Sequence, residues 1–150
     1  MSVKSQEANM RKLADLLSHD LGYIWGKREA GPNGAKRTFL NVGRTFLRAL
    51  AKDLCLRDYK VTSNAGGIAV SGDCTLMGVW DGGGIFLNLS QPACGGDHVI
   101  CYRSIRHLKD YSGSGYNHWL TRNCLETFSY EKLLFALSAL RKEQGYDRAA

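Results

Sequence analysis

The segment YRSIRHLKDYSGSGYNHW, residues 102–119, carries the densest set of chemically capable side chains in the sequence. Arg103, Arg106 and Lys109 stand there against one acid, Asp110, and are interleaved with Tyr102, Tyr111, Tyr116 and Trp119. His107 and His118 add two titratable rings. Aromatic rings alternating with cations can stack bases while following a phosphate backbone. A histidine beside a nucleophile would serve acid–base chemistry instead. No nucleophile, base and orienting group are spelled out together, so a binding loop is expected here rather than an active site. Ser-Gly-Ser-Gly at 112–115 gives the segment a flexible centre, and Trp119 is expected to plug the core ahead of the last helix.

A second concentration of charge is Arg37, Arg44, Arg48 and Lys52, which fall on one side of a helix by their spacing. That stripe suits phosphates or an acidic protein patch. Replacing Arg44 and Arg48 by Glu should leave packing untouched on this reading. Just before it lies GPNGAKRT, residues 31–38. A Walker loop needs Gly and Lys adjacent after a strand; here Gly34 and Lys36 are separated and a helix precedes. Gly31-Pro32-Asn33-Gly34 has the form of a KH-type GxxG clamp, but it stands too far from the preceding helix. What remains is an anion site at the start of the second helix.

Cys94, His98 and Cys101 form C-x3-H-x2-C. Structural zinc takes four ligands, and residues three apart on a strand point to opposite faces. No metal and no cofactor are expected. A Cys101–His98 or Cys101–His107 nucleophilic pair is also disfavoured, because Cys101 reads as a core position on its strand. Asp73, Asp81 and Asp97 adjoin glycines, where Asp forms turns.

The elements that must position these residues are legible from periodicity. Met10, Leu13, Ala14, Leu17 and Leu21 predict a helix over 5–21, ended by Gly22. Residues 22–37 read as a glycine-rich basic connection, with Tyr23, Ile24 and Trp25 anchoring it to the core. Phe39, Val42, Gly43, Phe46, Leu50 and Leu54 predict a second helix over 38–55, with Thr38 or a neighbour as its cap. From Asp58 the period becomes two. DYKVTSN, GIAVSGD, TLMGVW, GIFLNLS and HVICYRS read as four or five strands, TLMGVW alternatively continuing the strand before it. Turn signals NAGG, GD, DGGG and PACGGD separate them, and connections this short permit only antiparallel neighbours. A final helix over 129–143 follows, capped by Ser129, with Tyr130, Leu133, Leu134, Leu137 and Leu140 buried and Arg141 and Lys142 at its negative pole. Gly145 stops it. The expected fold class is α+β: two N-terminal helices, an antiparallel meander and a C-terminal helix packed on it, in one domain of 150 residues.

Hydrophobic residues are 44% and charged residues 23% of the chain, a globular composition with no apolar run long enough for a membrane span. The amphipathic N-terminus lacks a signal-peptide core, and five cysteines at wide spacing fit free thiols in a reducing compartment, so a cytoplasmic location is expected. A net charge of +6 favours anionic partners.

KDLCLRDYKVTSNAGGIAVSGDCTL (52–76) and the 102–119 segment resemble small accessory proteins carried by phages and plasmids. The likeness covers about a third of the chain and rests on phrases such as SNAGGIAVSG and KDYSGS. It implies a setting in which small proteins block host defences by binding, anti-CRISPR proteins among them. Acidic mimicry of DNA does not fit a basic chain. The expected function is therefore non-enzymatic: binding and inhibition of a host defence protein or nucleoprotein, through Arg37, Arg44, Arg48 and Lys52 on the helix and Arg103, Arg106, Lys109, Tyr111 and Tyr116 in the loop. A plain DNA- or RNA-binding protein is the alternative, and a small enzyme is third.

Overall fold

Two apolar periods, 3.6 in the helices and 2 in the strands, converge on one core. The computed structural model describes residues 2–19, 21, 34–66, 71–92, 96–111 and 115–141. Their elements run α1 (Val3–Leu17), α2 (Ala35–Asp53), β1 (Asp58–Asn64), β2 (Asp73–Trp80), β3 (Gly83–Ser90), β4 (His98–Ile105), β5 (His118–Thr121), α3 (Arg122–Thr127) and α4 (Tyr130–Ser138). The strands form an antiparallel sheet in the order β1-β2-β3-β4-β5. The fold is α+β. The expectations for residues 22–33, 67–70, 93–95, 112–114 and 142–150 lie outside the described residues. They include the Tyr23–Trp25 anchor, the Gly31–Asn33 clamp, Cys94, the loop centre and Gly145.

Ser2 caps α1 by accepting the Ser5 N–H, and Met10, Leu13, Ala14 and Leu17 are buried as their spacing requires. The helix ends at Leu17 rather than Leu21. The Gln91 side chain, arriving after β3, donates to the Leu17 carbonyl and accepts the Leu21 N–H, so it takes over the backbone groups that a longer helix would pair. Helix α2 starts one turn earlier than expected. Gly34 is its N-cap, and Thr38 lies inside the first turn, donating Oγ1 to the Gly34 carbonyl. It stops where Cys55 takes the left-handed conformation, φ 59°. Gly43 lets this helix lie against β2: a Cβ there would stand 2.6 Å from Cys74 Sγ.

In register, Val61, Leu76, Leu87 and Tyr102 are cross-strand neighbours, as are Cys74, Leu89, Ile100 and Leu120. This inner face joins Phe39, Phe46, Leu47 and Leu50 of α2 in one buried cluster. Strand β2 begins at Asp73, so TLMGVW continues from the turn residues and Ser71 and Gly72 are not strand.

The C-terminal helix expected over 129–143 is α4, Tyr130–Ser138, and a short helix the periodicity did not mark, α3, precedes it. Six residues cannot hold a helix by propensity alone. Leu125 is buried, and Arg11 of α1 donates to the Leu125 and Phe128 carbonyls at 2.8 Å each. Ser129 caps α4 as expected, accepting the Lys132 N–H at 3.1 Å. Tyr130, Leu133, Leu137 and Leu140 are buried, whereas Leu134 is half-buried. Arg141 stacks its guanidinium over the Trp80 ring at 5.2 Å instead of serving the helix pole. No helix among the described residues is long and apolar enough to cross a membrane.

The exposed stripe of α2 needs a correction. Arg44 is half-buried and donates to Ser63 Oγ of β1 and to Asn41 Oδ1. It fastens the helix to the sheet edge, so its replacement does touch packing. Arg37, Arg48 and Lys52 are exposed. Arg48→Glu is expected to change unfolding stability by less than about 0.5 kcal/mol. Arg44→Glu, which leaves Ser63 facing a carboxylate tethered to the wrong spot, should cost about 1–2 kcal/mol in a denaturant titration.

Candidate functional site

Strand alternation sends every second residue to the face of the sheet opposite the helices. On this outer face the register lines up Lys60, Met77, Phe86 and Arg103, one from each of β1 to β4. The neighbouring row is Thr62, Thr75, Asn88, Cys101 and Trp119, one from each of the five strands. These two rows carry two cations and no carboxylate. Neighbouring strands lie about 4.8 Å apart, so Lys60 and Arg103 bracket the first row at about 14 Å.

Each ring in these rows has a defined seat. The Arg103 guanidinium carbon lies 4.1 Å from the centre of the Phe86 ring, a close cation–π stack. Arg103 Nε is shielded from water and meets no acceptor among the described residues. Trp119 is 54% exposed, contrary to the expectation that it plugs the core. It pairs with Cys101 at the sheet edge, and the His98 ring meets it edge-on at 5.8 Å. The core position falls one residue later, on Leu120, because β5 has its own alternation that a loop reading ignores.

Residues 106–111 return across this face. The Asp110 carboxylate, 4% exposed, accepts the Arg106 N–H at 3.0 Å and pairs with Arg106 Nε at 3.3 Å. The Asp110 N–H donates to the His107 carbonyl, closing a tight turn. Arg106 therefore serves the turn and is not an unpaired cation offered to a ligand. The turn delivers Tyr111, 65% exposed, to β1, where Lys60 Nζ donates to its hydroxyl at 3.2 Å. A hollow of about 390 Å³ opens there, lined by Lys60, Thr62, Thr75, Met77, Phe86 and Tyr111.

Of the expected binding residues, Arg103 and Tyr111 come together at the outer face. Lys109 and Tyr116 are exposed. Arg37, Arg48 and Lys52 sit on α2, in the layer covering the inner face, so the helix stripe and the loop do not form one surface. Tyr102 is buried on the inner face and stacks on His118, ring centres 5.1 Å apart. Sequence reasoning missed Lys60, Thr62, Thr75, Met77 and Phe86. Alternation in KVT, TLM and GIFLNLS marks those within each strand as sharing a face, but periodicity does not say which face the helices leave open.

The cysteines are also displaced from expectation. Cys101 lies half-buried on the outer face, not in the core. Burial pushes its thiol up despite the nearby Arg103 cation. Cys74, packed under α2, is pushed up to about 12 by burial, against the pull of Arg44. Both stay protonated at neutral pH.

A helix-backed antiparallel meander whose opposite face carries aromatic and basic residues defines this chain as an α+β protein. Compared with protein-family models, curated proteins and solved structures, it gives no match.

Proposed function

We propose that this protein is a non-enzymatic binding protein that grips single-stranded nucleic acid on the outer face of its sheet. The observation that carries this reading is the row Lys60–Met77–Phe86–Arg103, with Trp119 exposed beside it. Open sheets present rings on which successive bases stack, and flanking cations follow the backbone. A duplex hides its base faces and gains nothing from such rings. The Arg103 guanidinium, whose Nε has no acceptor among the described residues, has donors to offer a phosphate or a base edge. The net charge of +6 adds long-range attraction for a polyanion.

The non-enzymatic part of the reading is supported by the raised Cys101 thiol, which holds little of the thiolate a nucleophile needs. Cys55, Cys74, Cys101 and Cys124 are free, which supports a reducing, cytoplasmic setting. The likeness of residues 52–76 and 102–119 to phage and plasmid accessory proteins supports a role for a mobile element. In that role the bound strand belongs to a host defence nucleoprotein, and occupying it inhibits the defence.

Titration with a single-stranded oligonucleotide tests the proposal. Stacking on Trp119 should quench its fluorescence. Neutralising two phosphates through Lys60 and Arg103 should give a log–log salt slope of about −1.4. The matching duplex should bind more weakly. An absence of quenching and of any gel shift at low salt would overturn the reading.

A further inference from the structure

The hollow beneath Tyr111 has a chemistry narrower than general stacking requires. Its volume, about 390 Å³, falls within the range of small-molecule sites. Phe86 from β3 and Tyr111 from the turn supply two rings, and Met77, 3% exposed, supplies an apolar floor. Two rings over such a floor favour a flat π-surface.

The polar groups around it are biased to one sense. Lys60 has only donors. Thr75 Oγ1 already accepts from Asn88 Nδ2 at 3.1 Å, which leaves its O–H to donate. The Tyr111 oxygen already accepts from Lys60 Nζ, which leaves its O–H to donate as well. Thr62 can act either way. Among the described residues no carboxylate lines the hollow. A heterocycle entering edge-first therefore meets donors in excess of acceptors, and a ring whose edge carries an amine sets donor against donor at Lys60.

We propose that this hollow is a base-reading site that selects uracil or thymine, whose ring offers a carbonyl where cytosine carries an amine. The inference rests on the reading of the outer face as a single-strand surface and adds selectivity to it. Uracil and cytosine have nearly the same shape and stacking area, so the difference lies in hydrogen bonding alone. Sites built to satisfy one sense of hydrogen bond reject the opposite one because a buried donor is left unpaired.

Uridine and cytidine homo-oligonucleotides of equal length, titrated at neutral pH and one salt concentration, provide the test. The uridine strand should bind about five- to tenfold more tightly, the value of one donor correctly met. The double variant Thr75→Val with Tyr111→Phe removes two hydroxyl donors without changing charge or much volume. It should lower the ratio, with Lys60 Nζ left as the remaining donor. Tyr111→Phe alone, at an exposed ring, should lower the ratio without any question of folding. Equal affinity for both strands in the unaltered protein, or a ratio unchanged in the double variant, overturns base selection and leaves strand binding standing. Failure to bind either strand overturns the single-strand reading and this inference with it.

Discussion

Phe86→Leu is expected to weaken single-strand binding by about 5- to 150-fold, the loss of one stacking platform worth about 1–3 kcal/mol. The ring sits in the middle of its row, between Met77 and Arg103, and carries the Arg103 guanidinium on its face. Leucine keeps an apolar side chain over buried Met77 but offers no flat π-surface. Stability should move by less than about 1.5 kcal/mol, as in other apolar exchanges of related size. Fluorescence anisotropy with a labelled oligonucleotide reads the affinity, and a denaturant titration reads the stability. Arg103→Glu should weaken binding further, since it replaces attraction with repulsion at the same place, and it should flatten the salt dependence. If Phe86→Leu binds normally, the row is not where bases stack.

Tyr130→Ala should be the most damaging single change to the fold. Tyr130 is the largest fully buried side chain among the described residues. Its hydroxyl donates to Asp53 Oδ2 of α2 at 2.6 Å and accepts from Gln6 Nε2 of α1 at 3.2 Å. Its backbone N–H donates to Glu7 Oε2 at 2.8 Å. One residue thus joins the C-terminal helix to both N-terminal helices. Deleting the ring should cost about 3–5 kcal/mol, as for other large aromatic truncations. Tyr130→Phe separates packing from hydrogen bonding. Asp53 is exposed and water replaces the lost donor, while Gln6 Nε2 keeps the Phe46 carbonyl at 3.1 Å. The cost should then be only about 1 kcal/mol. Equal losses for both variants would mean that the hydroxyl network, not the ring, holds the layers together.

Periodicity alone located most elements. The apolar spacing of Phe39, Phe46 and Leu50 can be satisfied only by a helix with one buried side, and the glycine-bearing turns after β2 and β3 are too short for anything but antiparallel pairing. The errors fall where a distant side chain intervenes. Gln91 ends α1 early, and Arg11 holds α3, which is too short to announce itself. Arg44 reads as an exposed cation by helical spacing, yet the edge of β1 lies beneath it.

The candidate site divides in the same way. Composition and charge pointed to an anionic partner, and the 102–119 segment was legible as rich in binding side chains. Only the tertiary structure separated its members: Tyr102 inward, Arg106 tied to Asp110, Arg103 and Trp119 outward. It also joined to them Lys60, Met77 and Phe86, which lie 17 to 43 positions before Arg103 in the chain. Local pattern records which residues share a face, because side-chain direction follows from backbone geometry one residue at a time. Which face is covered depends on where the helices pack, and that is decided by contacts between segments far apart in sequence, Gly43 against Cys74 first among them.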